Sequence, residues 1–475
     1  MKHDLSGLRV TVMGLGLHGG GLASTEYLVS RGARVTVTDL RSETELADSL
    51  ERLPVAVRTV IGRHEMEDFT RADLVVKNPA VPRTVTFLQN AKAVTTDIAL
   101  FLSEWRTAEG PGAPVVAITG TKGKSSTSGA TAHILAGRWP ATLLGGNITV
   151  SPLTFLNSLP TERPNDVAPV VLELSSFQLG DLAYCRDKNN DAPPGTLPPS
   201  ALLPRVEANV AVITNIFRDH QDYYGSMERY VADKEEIFHH LPEGALALFD
   251  SDSRWSPRFL AAVVERYRDA VTVRRRNALD HSLVPEELTV VGQHSRGNLA
   301  YAAAAAAHLG VDRETIRARA ASFPGVPHRL ETLALNRGCR YVNDTAATIP
   351  EAALAAVQAF RAPLGLIAGG TDKGLNLRPL VEAVKETLHG GGEVFLLAGT
   401  ATDRLVALLA EDAVPVPSVF TDLSAAVEAA RRWEDSQGPA ERVVLLSPGC
   451  ASFGMFRNEF DRGDQFRSLV AGITE

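Results

Sequence analysis

The run Gly120-Thr121-Lys122-Gly123-Lys124-Ser125-Ser126 follows the apolar stretch Pro114-Val115-Val116-Ala117-Ile118 and precedes a helix-like segment over 125–135. A strand that turns through glycines into a helix presents bare backbone N–H groups and a helix N-terminus to an anion. Lys124 is then placed to reach terminal phosphates and Ser125 to ligate Mg²⁺, which reads as a nucleoside-triphosphate site. The usual phosphate loop has glycine where this chain has Ile118, so the loop is a shortened type closed by Thr119 and Gly120. A glycine turn with an incidental lysine is the competing reading, and the flanking strand and helix patterns weigh against it.

The chain has 475 residues, 44% of them hydrophobic, enough for about three domains with cores of their own. A net charge of −8 without a basic tract argues against nucleic acid or an anionic membrane as partner. Cys185, Cys339 and Cys450 are odd in number and lack metal-ligand spacing, which suits a reducing compartment. The opening Met1-Lys2-His3-Asp4 has no apolar signal core, and no long uninterrupted apolar run appears, so a cytoplasmic location is expected.

Short β-rich runs at 10–13, 35–38 and 74–77, separated by helix-like segments, predict an α/β domain over 1–108. Its first turn is Gly14-Leu15-Gly16-Leu17-His18-Gly19-Gly20-Gly21, and Asp39 ends the next strand. A dinucleotide fingerprint has this form, but glycine turns also hold other nucleotide diphosphates, so NAD stays an open alternative here. Residues 106–113 have linker composition, and a second domain is expected over 109–330, with the Pro- and Asn-rich stretch 187–204 as a surface insertion. The alanine run 302–307 fits a closely packed helix. Strands recurring at 364–368, 394–398 and 443–446 predict a third α/β unit over 331–475.

Three further segments bear on chemistry. Glu173 ends the apolar run 169–172, where a phosphate-held Mg²⁺ needs an oxygen ligand, although an acid ending a strand is also ordinary. His220 follows the apolar run 210–213, and an isolated histidine there is more often structural. Ser226 reads as the N-cap of a helix over 227–239 that carries Lys234, for which a solvated surface position is the default.

Taken together, Thr119 to Ser126, Leu172-Glu173-Leu174-Ser175-Ser176-Phe177-Gln178-Leu179, Asn215 to His220 with Lys234, Pro327-His328-Arg329-Leu330-Glu331, Asn343-Asp344, Gly369 to Gly374 and Ser447 to Phe453 resemble the Mur ligases over nearly the whole chain. The resemblance implies three domains: a Rossmann-like UDP-binding domain, a central P-loop ATPase-type domain and a Rossmann-like C-terminal domain. It further implies an ATP-dependent amide ligase of peptidoglycan precursor synthesis. The carboxylate of UDP-N-acetylmuramoyl-L-alanine would attack ATP, and the acyl phosphate would then be attacked by D-glutamate. L-Glutamate as acceptor is the nearest alternative, and an NAD-dependent oxidoreductase is the alternative from another class.

By that resemblance Gly120, Thr121, Lys122, Gly123, Lys124, Ser125 and Ser126 bind ATP together with Asn298, Arg329 and Asp344. Lys124, His220 and Lys234 serve catalysis, and Ser125, Glu173, His220 and Lys234 serve two Mg²⁺ ions, with Lys234 carbamylated by CO₂. Gly14, Leu17, His18, Gly19, Asp39, Arg41, Asn78, Asn147, Ser175 and Gln178 face the UDP substrate. Thr348, Lys373 and Ser452 meet the amino acid. Small-molecule substrates, no nucleic acid, no membrane and a monomeric state complete the expectation. The departures lie near the amino-acid site: Thr345-Ala346-Ala347-Thr348-Ile349 holds no cation where the family commonly has lysine, Glu459 stands where an aromatic is common, and His294 is followed by Ser295 in place of asparagine.

Overall fold

The computed structural model describes residues 5–16, 19–109, 114–148, 150–158, 168–197, 199–290, 293–436 and 441–473. They divide into two compact units, one of residues 1–285 with 297–320, the other of 286–296 with 321–475.

The first unit contains two parallel sheets. Strands β1 (Arg9–Met13), β2 (Arg34–Asp39), β3 (Arg58–Ile61), β4 (Leu74–Lys77) and β5 (Val94–Thr95) lie in the order β3-β2-β1-β4-β5. Strands β6 (Val115–Thr119), β7 (Leu143–Gly146), β8 (Val170–Glu173), β9 (Val210–Ile213), β10 (Leu246–Phe249) and β11 (Thr272–Arg275) lie in the order β11-β10-β9-β6-β8-β7. Parallel strands are covered on both faces, which is why β6, β8 and β9 are continuous apolar or β-branched runs with every residue buried bar none. The register sets Ile118 opposite Glu173 and Thr119 opposite Ile213, so the segments following β6, β8 and β9 emerge at one sheet edge.

The second unit holds β12 (Glu331–Asn336), β13 (Cys339–Asn343), β14 (Leu364–Gly369), β15 (Glu393–Leu397), β16 (Ser418–Phe420) and β17 (Arg442–Leu446) in the order β12-β13-β17-β14-β15-β16. Only β12 runs antiparallel to its neighbour, as a hairpin with β13. Cys185 in the first unit and Cys339 and Cys450 in the second are all buried free thiols.

The α/β reading stands, with local corrections. Residues 106–109 continue the helix Asp97–Glu109 and are not linker, while 110–113 lie outside the described residues. The stretch 187–204 is not a plain surface insertion. The helix Ser176–Asn189 runs into it, and buried Asn189 donates to Val94 O and Leu202 O while accepting from Val94 N. Leu197, Ala201 and Leu202 are buried as well. The helix expected over 227–239 is an α-helix at Met227–Glu235 followed by a 3₁₀ turn at Glu236–Phe238, with Ser226 as its N-cap accepting from Arg229 N.

Candidate functional site

Two strand–glycine–helix turns organise the first unit. The order of the first sheet reverses between β1 and β4, the place where a doubly wound sheet opens a crevice. A cleft of about 1350 Å³ lies there, lined by Gly14, Asp39, Arg41, Asn78, Asn147 and Gln178 from the expected set. Asp39 braces the turn: its Oδ2 accepts from Gly16 N at 3.1 Å and its Oδ1 from Arg41 N at 2.9 Å. Gly19 caps the helix Gly20–Ser30 at φ 81°, while Leu17 and His18 lie outside the described residues. The close packing that the fingerprint assigns to its last glycine falls on Gly21, where a Cβ would come within 2.4 Å of the carbonyl oxygens of Gly14 and Leu15. Ser175 is not part of the lining. It caps the helix Ser176–Asn189 in a reciprocal capping box with Gln178.

Sequence reasoning missed His64 and Phe87 in the cleft wall. The His64 ring packs edge-on against Phe69 and Phe87. Thr38 Oγ1 donates to Arg63 O at 2.9 Å, so His64 Nδ1, 2.7 Å away, is the donor to that hydroxyl and Nε2 is left as acceptor in the neutral ring. Burial lowers the His64 pKa and favours that neutral form. The only sequence signal was an isolated histidine just past a strand end.

The second turn follows β6. Gly120, at φ 146°, has no room for a Cβ, which would meet Thr214 Oγ1. Gly123, at φ 78°, is the N-cap of the helix Lys124–Leu135 and makes no side-chain cap, so the helix N-terminus is open to an anion. A Cβ on Gly123 would lie 2.6 Å from Asn298 Oδ1, so Asn298 stands against the loop. Asn215, not assigned a role from sequence, clamps the loop: its Oδ1 accepts from Lys122 N and its Nδ2 donates to Lys122 O, both at 2.9 Å. Thr121 Oγ1 lies 2.9 Å from Tyr230 Oη, and Lys124 Nζ donates to Thr121 O at 3.0 Å. Ser125 and Ser126 occupy the first turn of the helix, half-buried.

Lys234 is not a solvated surface lysine. It is 2% exposed, and its Nζ donates to Gly120 O at 2.8 Å and Thr119 Oγ1 at 3.3 Å, directly behind the loop. Burial lowers its pKa well below the ordinary lysine value and the charge of Lys124 adds to this, against Asp219, Asp233 and Glu173. Glu173 is buried at the end of β8, with Oε1 accepting from Asn147 Nδ2 at 3.0 Å and Oε2 from Ser128 Oγ at 3.4 Å. His220 adopts φ 50° and packs edge-on to Phe177, with Nε2 3.7 Å from Asp219 Oδ2. Among the described residues no three His, Cys, Asp or Glu side chains gather as a metal centre. The donors present do fit a cation carried in on phosphate: a cradle that a Cβ would fill, with one buried carboxylate beside it.

In the second unit Asp344 follows β13. Ser447 Oγ donates to its Oδ2 at 2.7 Å and Leu330 N to its Oδ1 at 3.1 Å, and burial raises the carboxyl to about 7. Arg329 is exposed beside His328, which holds φ 67°. Thr348 and Lys373 line a shallow pocket with Thr371 and Ala451, and backbone hydrogen bonds in both directions between those last two set the Lys373 loop beside the one bearing Ser452. Arg462, another residue missed, is fully buried and holds the Asp344 loop through Thr345 O and Oγ1.

Residues 8–99 match the model described as Mur ligase MurD-like, N-terminal domain, and residues 199–281 match Mur ligase middle domain. A UDP-N-acetylmuramoylalanine–D-glutamate ligase of Roseiflexus sp. (strain RS-1) is 39% identical over 99% of this chain and 100% of its own length. The enzyme of the same name from Treponema pallidum (strain Nichols) is 35% identical, covering 99% of each chain. In fold, the chain is similar to the UDP-N-acetylmuramate-alanine ligase of Thermotoga maritima, with a TM-score of 0.55 at 18% identity over 98% of this chain and 100% of that one. It is also similar to a UDP-N-acetylmuramoyl-L-alanyl-D-glutamate–2,6-diaminopimelate ligase, with a TM-score of 0.54 at 18% identity over 85% and 92% of the two chains. With relatives 39% and 35% identical over essentially their whole length and two domain models matched, the chain belongs to the Mur ligase family.

Proposed function

We propose that this chain is the ATP-dependent ligase that adds D-glutamate to UDP-N-acetylmuramoyl-L-alanine, by way of an acyl phosphate, in peptidoglycan precursor synthesis. The observation that carries this reading is Lys234, buried behind a phosphate loop and acted on by the charges of Lys124 and Glu173. A surface helix has no use for such a lysine. A site where carboxylate and phosphate oxygens accumulate negative charge needs fixed cations and metal ligands already in place.

In this reading the chain is organised as 1–108 for the UDP substrate, 109–330 for ATP and 331–475 for the amino acid. Gly14, Gly19, Asp39, Arg41, Asn78, Asn147 and Gln178 hold the UDP substrate, with Leu17 and His18 as further members and Ser175 shaping the wall through its cap. The loop 120–126, Asn298 and Arg329 hold the phosphates of ATP, and Asp344 its ribose. Lys124 neutralises charge on the transferred phosphoryl group. Ser125 and Glu173 would hold one Mg²⁺ ion and His220 and Lys234 a second, the ions supplying Lewis acidity when bound. Lys234 carries a carbamate: CO₂ reacts only with a neutral amine, and burial favours that form. Thr348, Lys373 and Ser452 meet the carboxylates of glutamate. We place the enzyme in the cytoplasm as a monomer, where three unpaired thiols persist and UDP-linked substrates are soluble. Among the described residues no helix is long and apolar enough to cross a membrane.

Phosphate release tests the whole reading. It is expected only when ATP, UDP-N-acetylmuramoyl-L-alanine and D-glutamate are all present. A panel of D- and L-amino acids decides the acceptor, because Ala346 leaves Lys373 as the cation in the run assigned to it. Release with L-glutamate alone would replace D-glutamate, and release without any UDP substrate would overturn the ligase.

A further inference from the structure

A line of buried and partly buried charge runs from beside the cleft to the helix of Lys234, and neither turn requires it. Residues 78–82 and 84–87 line the cleft, whereas the Arg83 guanidinium turns away from it. Arg83 Nε donates to Asp181 Oδ1 at 2.9 Å, while its two terminal nitrogens pair with the two carboxylate oxygens of Asp233. Lys77, which immediately precedes the cleft residue Asn78, donates to the other oxygen of Asp181 at 2.6 Å and to Asn78 O at 3.2 Å. Lys77 and Asp181 are almost wholly buried. Asp181 stands three residues beyond Gln178 on the helix Ser176–Asn189, and Asp233 is the chain neighbour of Lys234 on the helix Met227–Glu235. Tyr224 Oη donates to Asp233 as well, at 3.0 Å.

Gly180 shows that this crossing is built in. A Cβ there would come within 1.9 Å of Arg83 Nη2 and 2.1 Å of Asp233 Oδ2. Glycine weakens a helix interior, so its place in the middle of Ser176–Asn189 is explained by the pair that passes over it. A bidentate guanidinium–carboxylate pair is directional, and removing one partner leaves a buried charge uncompensated. Arg83 therefore ties the 78–87 wall of the cleft directly to the helix of Lys234.

We propose that Arg83 is a positioning residue that couples filling of the cleft to the setting of Lys234, a proposal that rests on the cleft being the UDP-substrate site. Coupling of this kind is reciprocal: what orders the wall orders the lysine helix, and the reverse. Arg83 touches no reacting atom and acts through Asp233.

Hydrogen exchange on the full chain tests this, with UDP-N-acetylmuramoyl-L-alanine as probe and no ATP. In the wild type the probe is expected to slow exchange in 78–87 and also in 227–235. Arg83→Gln keeps the first protection and loses the second, Arg83→Lys restores it in part, and the KM for the UDP substrate rises about tenfold with that for ATP unchanged. Gly180→Ala removes no charge, crowds the same crossing and gives the same split, which guards against a variant that merely misfolds. Protection of 78–87 without 227–235 in the wild type, or of both in Arg83→Gln and Gly180→Ala, overturns the coupling and leaves the cleft assignment intact. Absence of protection at 78–87 overturns the cleft assignment and the coupling with it.

Discussion

The two glycine turns of the first unit share a backbone plan and differ in what surrounds it. Each follows a parallel strand, each uses glycine at positive φ, and each leads into a helix whose N-cap is a left-handed glycine without a side-chain cap. Around the first turn the carboxylate of Asp39 is engaged in bracing Gly16 and Arg41. Around the second the near cation is Lys124, with the carboxylate of Glu173 and the buried amine of Lys234 beside it. A glycine turn alone thus specifies only that something anionic fits. In the proposed reading the neighbouring side chains decide whether the anion is merely held or chemically changed, so an NAD-like motif has a place in a ligase.

The sharpest way to break this contrast is Lys124→Ala. Loss of one donor to developing charge costs on the order of 10²- to 10³-fold in rate, and steady-state phosphate release should show it with the UDP-substrate KM little changed. A near-normal rate would make the second turn as passive as the first. Lys234→Ala should lose activity to a similar degree and regain part of it when a small carboxylic acid is added to occupy the ligand position. A solvated-lysine role predicts a silent variant, and the wild-type crystal should show added density on Nζ. At the first turn, Asp39→Ala should raise the UDP-substrate KM by roughly 1–3 kcal/mol equivalent and leave that of ATP unaltered. Measurable NAD binding instead would reverse the assignment. Gly21→Ala should lower unfolding stability by about 1–3 kcal/mol in urea titrations, because its Cβ meets backbone that does not yield. The smallest expected effect is a slope. The folded pKa of Lys234 is depressed, so below the unfolded value of about 10.4 the unfolded chain binds the extra proton and stability falls as pH falls, until the folded pKa is reached. Lys234→Met should flatten that slope below about pH 10 in CO₂-free buffer.

The strands and both turns were legible because parallel strands are continuous apolar runs and glycines punctuate them, as at 115–123. The ends of strands announced Asp39 and Glu173 for the same reason. Burial of Lys234 was not legible from composition, since its helix is mostly polar, yet the spacing held a clue: Tyr230 and Lys234 are one turn apart and share the buried face. His64, Asn215 and Arg462 were missed because each acts across the fold, on Thr38, Lys122 and Thr345, through contacts that have no period in sequence. The stretch 187–204 misled because its prolines and asparagines mimic a loop, while Asn189 in fact satisfies the edge of β5.

The placement of the three cysteines gives the molecule a pair of internal clocks. Cys185 belongs to the first unit, and Cys339 and Cys450 to the second. Burial pushes the thiols of Cys339 and Cys450 up to about 12 and raises Cys185 as well, so reagents that require thiolate find almost none in the folded chain. Labelling at each position is therefore timed by local opening, and peptide mapping of the adducts separates one unit from the other without any introduced probe. A ligand that slows capture of Cys185 alone has found its home in the first unit, and one that slows Cys450 alone has found it in the second.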